Sequence, residues 1–471
     1  MSVSEEFDLV VVGGGPGGYA ACLRAAQLGM RVACVEKEAR LGGTCLNVGC
    51  IPSKALLDSS EAFHFVRSRI ADHGIHVTGV DLDLSSMMAR KERVVRELTD
   101  SLRSLVEGSG VTIYQGGASL RRVREVGVRG SDNRDGTSSP LVLTGARILL
   151  ATGSEPTAVP GLPFDGERIV SSTEALSFAE PPERLGIVGG GYIGLELGSV
   201  WSRLGSQVTV IEMLPMVAST LDRQVGRALE RSLARQGLSF RLGARVLEAE
   251  VGQDGVSVAL ESGGETSRVS FDRLMVAVGR RPLTRGLDLD SIGIRVDPKT
   301  GQIPVDEKYR TSVPSICAIG DLIAGPMLAH KASAEGIAAV ECMVDLQGEV
   351  NYDAIPAVVY TSPEVGSVGH TEERLKQLDV PYRSGVYPFS GAPRARCLGE
   401  TEGFVKILAH ARSGRILGVH VIGPRASELI AEATVAVEMG LTAAKLARIV
   451  HGHPTFSEAM HEAASTIALH G

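Results

Sequence analysis

The sequence predicts an α/β protein built from two like-patterned units followed by a C-terminal α+β region. Three observations carry this. A short apolar run, a glycine cluster spaced G-x-G-x-x-G, a helix-compatible run and a second apolar run ending in an acid occur twice, from residue 7 and again from residue 184. The first glycine and the acid lie 23 residues apart in both copies. Beyond residue 351 the pattern changes to short alternating apolar segments, as in an antiparallel sheet. With 471 residues, the chain is also too long for one hydrophobic core.

Residues 7–12 (FDLVVV) read as a buried parallel strand, short, apolar and β-branched. Gly13, Gly15 and Gly18 punctuate the turn that follows, residues 19–28 suit a helix, and residues 31–35 form a second strand ending at Glu36. Glycines let a backbone approach a pyrophosphate resting on helix N–H groups, and the acid accepts ribose hydroxyls. The whole unit therefore reads as a Rossmann-like dinucleotide-binding domain.

Cys45 and Cys50 come next, in GGTCLNVGCIPSK, before a helical run over 53–62. A regular helix would hold their Cα atoms about 8 Å apart, whereas a disulfide needs about 4.4–6.8 Å. Closing the pair requires a distorted backbone, which Gly49 permits. Strain makes such a bond reducible, and a helix N-terminus favours a thiolate. Two buried structural thiols are the alternative. The basic cluster over 90–96 reads as a solvated helix face, and residues 127–140 as a polar loop.

Residues 146–151 form a strand leading into Thr152 and Gly153. The second unit then runs from a strand over 184–188 through Gly189, Gly191 and Gly194 to a helix. The strand over 207–211 closes it at Glu212. Two such units imply two dinucleotides, and a nearby redox disulfide makes flavin plus nicotinamide the economical pair. A carboxylate at Glu212 bonds the 2′-hydroxyl of NAD and repels the 2′-phosphate of NADP. Arg203, on the preceding helix, is the residue that could weaken this expectation. A strand and a Gly-Arg turn occupy 270–282, and an apolar strand over 311–319 ends at Gly320-Asp321.

The run His451-Gly452-His453-Pro454-Thr455 places Glu458 five residues after His453, near enough to orient its ring and raise its basicity. Two histidines and one glutamate lack a clear third ligand, so no metal is expected. His451 reads as structural.

The stretch GGTCLNVGCIPSKALL resembles the redox segment of the flavin-dependent pyridine nucleotide-disulfide oxidoreductases, and within them the dihydrolipoamide dehydrogenases. The repeated glycine units, Ala-Thr-Gly at 151–153, Gly-Asp at 320–321 and His-Pro-Thr-x-x-Glu from His453 extend the resemblance over nearly the whole chain. Residues 391–394 depart from the family pattern, and no role is carried to them.

The resemblance implies FAD and NAD as cofactors and oxidation of protein-bound dihydrolipoamide. Cys45 would take the interchange step, Cys50 would stand nearer the flavin, and His453, oriented by Glu458, would be the acid–base residue. It implies cofactor contacts from Lys37, Thr44, Lys54 (paired with Glu196), Ala118, Val246, Gly279 and Asp321, and from Met327, Leu328, Ala329 and His330. Implied domains are 1–153 for FAD, 154–275 for NAD, 276–350 as a central domain completing the FAD site, and 351–471 for dimerisation. Implied partners are a second copy of the chain and the lipoyl domains of 2-oxo acid dehydrogenase or glycine cleavage complexes.

A net charge of −7 and a pI of about 5.9 argue against a nucleic-acid partner. No apolar run reaches the roughly 18 residues of a membrane span. The opening MSVSEEFDLVVVGGG lacks the pattern of a secretory or transit leader, and seven scattered cysteines suit a reducing compartment. A cytoplasmic location is the expectation.

Overall fold

The computed structural model describes residues 4–130 and 141–468 and resolves into two compact units. One comprises residues 1–55, 85–157 and 279–350; the other comprises 56–84, 158–278 and 351–471. Most of the expected FAD and central segments thus fall in one unit, and most of the nicotinamide and C-terminal segments in the other. Of the polar loop expected over 127–140, residues 127–129 instead belong to the strand Glu125–Arg129, and residues 131–140 lie outside the described residues.

The first unit is organised on a seven-stranded sheet. The opening strand Ser4–Val12 lies between Val32–Glu36 and Leu141–Leu150, parallel to both. Thr112–Gln115 and Ile316–Ala318 extend this parallel part, so the chain returns to the sheet after the 158–278 segment of the second unit. The central strands carry apolar runs where both faces are covered, and Leu9, Val10, Val11, Ile148 and Leu149 are buried. The helices Pro16–Gln27 and Ala329–Met343 pack against each other.

The second unit repeats the device with a five-stranded parallel sheet. Arg184–Val188 lies between Gln207–Glu212 and Arg273–Val276. A three-stranded antiparallel sheet, Ala244–Gly252, Gly255–Ser262 and Glu265–Phe271, stands beside it. The C-terminal part is the expected antiparallel sheet, of five strands, covered by the helices Ala426–Glu438 and Glu458–Ala468. Two of its strands, Glu364–Gly369 and Tyr382–Pro388, were not anticipated. Their short apolar runs are broken by glycine and proline.

The basic cluster over 90–96 is only partly a solvated face. On the helix Leu84–Gly108, Arg93 and Arg96 are exposed, but Lys91 is buried and pairs with Glu92 at 3.0 Å. Arg90 donates to the Ala55 carbonyl at 3.2 Å. Long aliphatic stems let such residues cover a core while their charged ends find partners.

Candidate functional site

The two glycine loops have the same internal construction. Gly13 and Gly189 adopt φ of 107° and 109°, and a Cβ on either would meet a carbonyl oxygen, of Ala151 or Ala277, at 2.4 Å. Only glycine fits both the backbone and the space. The helices Pro16–Gln27 and Tyr192–Arg203 begin just beyond, with no side chain capping their first N–H groups. That leaves donors for an anionic phosphate.

Each acid then holds its own loop. Glu36 Oε2 accepts from the Gly14 N–H at 2.8 Å, and Oε1 from the Glu38 N–H at 2.9 Å. Glu212 Oε2 accepts from the Gly190 N–H at 2.7 Å, and Oε1 from the Leu214 N–H at 2.8 Å. A carboxylate has about four acceptor positions, so both acids can still receive ribose hydroxyls. Burial raises the Glu36 carboxyl, and the backbone N–H groups oppose the rise. Open helix termini, glycine-lined approaches and fixed acids fit two dinucleotides.

Near the first loop, the cysteine segment is a helix broken in two. Cys45 sits in Gly43–Val48, and Cys50 opens Cys50–Ser68. The break is at Gly49, with φ −144° and ψ −111°, where a Cβ would meet the Thr44 carbonyl oxygen at 2.9 Å. Both cysteines are thiols here, Cys45 half-buried and Cys50 exposed. The Cys45 thiol is pushed well above its ordinary range, chiefly by its hydrogen bond with Cys50 and then by burial. Sequence reading placed the distortion at Gly49 but missed the short first helix and began the second three residues late.

Other expected contacts are local to one unit. Asp321 Oδ2 accepts from Ser154 Oγ at 2.5 Å, and Thr152 Oγ1 donates to the Leu283 carbonyl at 2.7 Å. Lys37 is exposed beside Glu38, Lys54 is half-buried, and Ala118 lies on the strand Gly117–Arg122. Met327 and Leu328 lead into the helix Ala329–Met343, whose second residue is the exposed His330. In the second unit, Glu196 accepts from the Tyr360 N–H at 3.0 Å, and Val246 lies on Ala244–Gly252.

Sequence reading missed a buried pair beneath Asp321. Lys331 and Glu335, 1% and 0% exposed, meet at 3.1 Å. Lys331 Nζ donates to the Gly320 carbonyl at 3.0 Å, while Glu335 Oε2 accepts from the Gly320 N–H at 2.8 Å. The i,i+4 spacing in HKASAEG was the available signal.

His453 and Glu458 form the expected dyad, with Nδ1 to Oε1 at 2.8 Å. Glu458 Oε2 also accepts from the Thr455 N–H at 2.8 Å. The hydrogen bond with His453 holds the Glu458 carboxyl below its usual range. His453 is exposed, whereas His451 is engaged by Glu432 at 2.8 Å and packs on His461. No cluster of three or more metal-ligating side chains occurs among the described residues.

A family model for pyridine nucleotide-disulphide oxidoreductases matches residues 7–336, and the model for their dimerisation domain matches 355–464. The chain belongs to this family. It is 46% identical over 98% of its length to a mitochondrial dihydrolipoyl dehydrogenase of Pisum sativum, covering 92% of that protein. It is 47% identical over 97% of its length to the mitochondrial enzyme of Schizosaccharomyces pombe, covering 89% of it. Among solved structures, LpdA from Mycobacterium tuberculosis matches with a TM-score of 0.89 at 27% identity, covering 98% of this chain and 99% of that one.

The chain is thus a flavoprotein disulfide oxidoreductase using FAD and NAD. The cytoplasmic expectation is overturned, because relatives from pea, Arabidopsis thaliana, fission yeast and Caenorhabditis elegans are named mitochondrial. It had rested on the opening residues and on scattered cysteines suited to a reducing compartment, and neither distinguishes cytoplasm from mitochondrion. No described helix is long and apolar enough to cross a membrane.

Proposed function

We propose that this chain oxidises protein-bound dihydrolipoamide to lipoamide and reduces NAD⁺, with Cys45, Cys50, His453 and Glu458 as its catalytic residues. The observation that carries the reading is the thiol pair Cys45–Cys50, in hydrogen-bond contact across the helix break at Gly49.

In the oxidised protein these cysteines form a disulfide. His453 removes a proton from one substrate thiol, and Glu458 keeps its ring oriented and stabilises the charge gained. The substrate thiolate attacks Cys45 Sγ, and Cys50 leaves as thiolate at a helix N-terminus. The second substrate thiol, deprotonated in turn, attacks the substrate sulfur of this mixed disulfide. That closes the lipoyl ring and releases Cys45. The substrate has lost two electrons and two protons, and the protein holds a dithiol. The chemistry FAD supplies when bound is transfer of an electron pair from that dithiol to NAD⁺ as hydride.

FAD would be held by Gly13, Gly15, Gly18, Glu36, Lys37, Thr44, Lys54, Ala118, Thr152, Gly153, Asp321 and residues 327–330. NAD would be held by Gly189, Gly191, Gly194, Glu196, Glu212, Val246 and Gly279. The working form is a homodimer whose partners are lipoyl domains of 2-oxo acid dehydrogenase or glycine cleavage complexes. The dimerisation-domain match and the named relatives support this reading.

The test is NADH formation from NAD⁺ with dihydrolipoamide and with a reduced lipoyl domain. Turnover with both, at higher kcat/KM for the domain, is expected. A flavin-loaded protein that makes no NADH from either would overturn the proposal.

A further inference from the structure

Arg280 opens the short strand Arg280–Pro282, paired antiparallel with Ser154–Pro156. Its Nε donates to Ser154 Oγ at 2.7 Å, and its Nη2 to the Ser154 carbonyl at 2.6 Å. The same Nη2 reaches Thr44 Oγ1 at 3.5 Å, one residue before Cys45. Ser154 Oγ donates onward to Asp321 Oδ2 at 2.5 Å. One half-buried guanidinium therefore joins the cysteine segment to the Asp321 turn. The anionic groups acting on it are Asp321, Cys50 and Glu155. An arginine keeps its proton at any working pH, so this is a fixed cation beside the dithiol.

Among the described residues, Lys54, on the helix that Cys50 opens, and the Tyr19 hydroxyl, on Pro16–Gln27, also interact electrostatically with Cys45. Lys54 carries a compact point charge on a four-carbon stem. Arg280 is a forked one, held by three hydrogen bonds. We propose that Arg280 is a positioning residue that fixes the cysteine segment against the Asp321 turn and favours the Cys50 thiolate. This rests on the reading of Cys45–Cys50 as the working dithiol.

The experiment reduces the holoenzyme with dithiothreitol, removes the reductant and measures iodoacetamide alkylation against pH. Peptide masses separate Cys45, Cys50 and Cys397. Arg280→Met should move the Cys50 midpoint upward by about one pH unit or more, as expected for loss of a neighbouring opposite charge. Arg280→Lys should restore most of the shift, and Ser154→Ala should produce a smaller one. A merely structural role would speed alkylation at every pH, Cys397 included, and leave the midpoint in place. A Cys50 midpoint equal to wild type in Arg280→Met overturns the inference. Arg280→Gln serves the same comparison should the methionine variant not fold. The midpoint judges Arg280 whatever substrate the dithiol serves, whereas failure of dihydrolipoamide to reduce the Cys45–Cys50 disulfide overturns the proposed function instead.

Discussion

Arg203 and Glu61 form an ion pair at 2.7 Å, with the arginine side chain only 6% exposed. Arg203 also reaches Ser60 Oγ at 3.4 Å. It was the one cation whose position on the helix Tyr192–Arg203 threatened the preference for NAD. Its charge is committed inside the protein. Withdrawing it would strand the buried Glu61 oxygen, so a 2′-phosphate gains no partner from it.

Glu212 should therefore decide the nicotinamide. Glu212→Ala is expected to reduce the preference for NAD⁺ over NADP⁺ by about 1–3 kcal/mol, the size of one charged hydrogen bond. Steady-state kcat/KM for both cofactors checks this. An unchanged ratio would remove the residue from discrimination.

The two cysteines should fail differently. Cys45→Ser is expected to abolish lipoamide turnover while leaving Cys50 able to give long-wavelength thiolate–flavin absorbance on reduction. Cys50→Ser should lose both. The reverse pattern in anaerobic spectra would exchange their roles.

Glu458→Gln keeps the shape of the dyad but removes the charge that orients His453. Loss of orientation and charge should lower dihydrolipoamide turnover by roughly 10²-fold, within the range for acid–base catalysis. NADH oxidation by ferricyanide, which needs no thiol deprotonation, should persist. Equal loss of both activities would point to misfolding. Because the His453 hydrogen bond holds Glu458 low, its charge persists as pH falls into the usual carboxylate range. The acid limb of the wild-type profile should then be absent from Glu458 itself.

Lys406 is 2% exposed and bonds both Asp222, 0% exposed, at 2.9 Å and Glu372 at 2.6 Å. Lys406→Met leaves Asp222 as an unpaired buried charge and should cost about 3–5 kcal/mol. Glu372 is held down to about 2, chiefly by Lys376 and next by Lys406. Its folded value lies below an unfolded value of about 4.3. Its contribution is therefore complete above that unfolded value and lost as pH falls towards 2. Thermal melts of wild type and variant should converge in that window. A constant gap would exclude the carboxylates.

Cys45 and His453 should complete one site from two chains. Refolding a mixture of Cys45→Ser and His453→Ala chains gives about half mixed dimers, each with one intact site if sites are shared. About a quarter of wild-type activity should return. No recovery from demonstrated mixed dimers would place both residues' work within one chain.

Much of this was legible because its signals are short-range. Each glycine loop, helix and acid fits within some 25 consecutive residues, and the His453–Glu458 bond spans five. Arg280 and the Asp222–Lys406 pair were not legible. Their partners lie 126 and 184 residues away, and no local spacing announces them. Lys91 looked solvated because charge alone was read, without the apolar neighbours of its helix face.

The carboxylates of Glu36 and Glu212 each accept backbone N–H bonds from their own glycine loops. These bonds brace the loops from within the protein, so part of the conformational entropy of fixing them is lost on folding and not on binding. Arrival of either nucleotide should resemble a key entering a cut lock, with little rearrangement of either loop. Tightness would then be governed by departure rate more than by arrival rate.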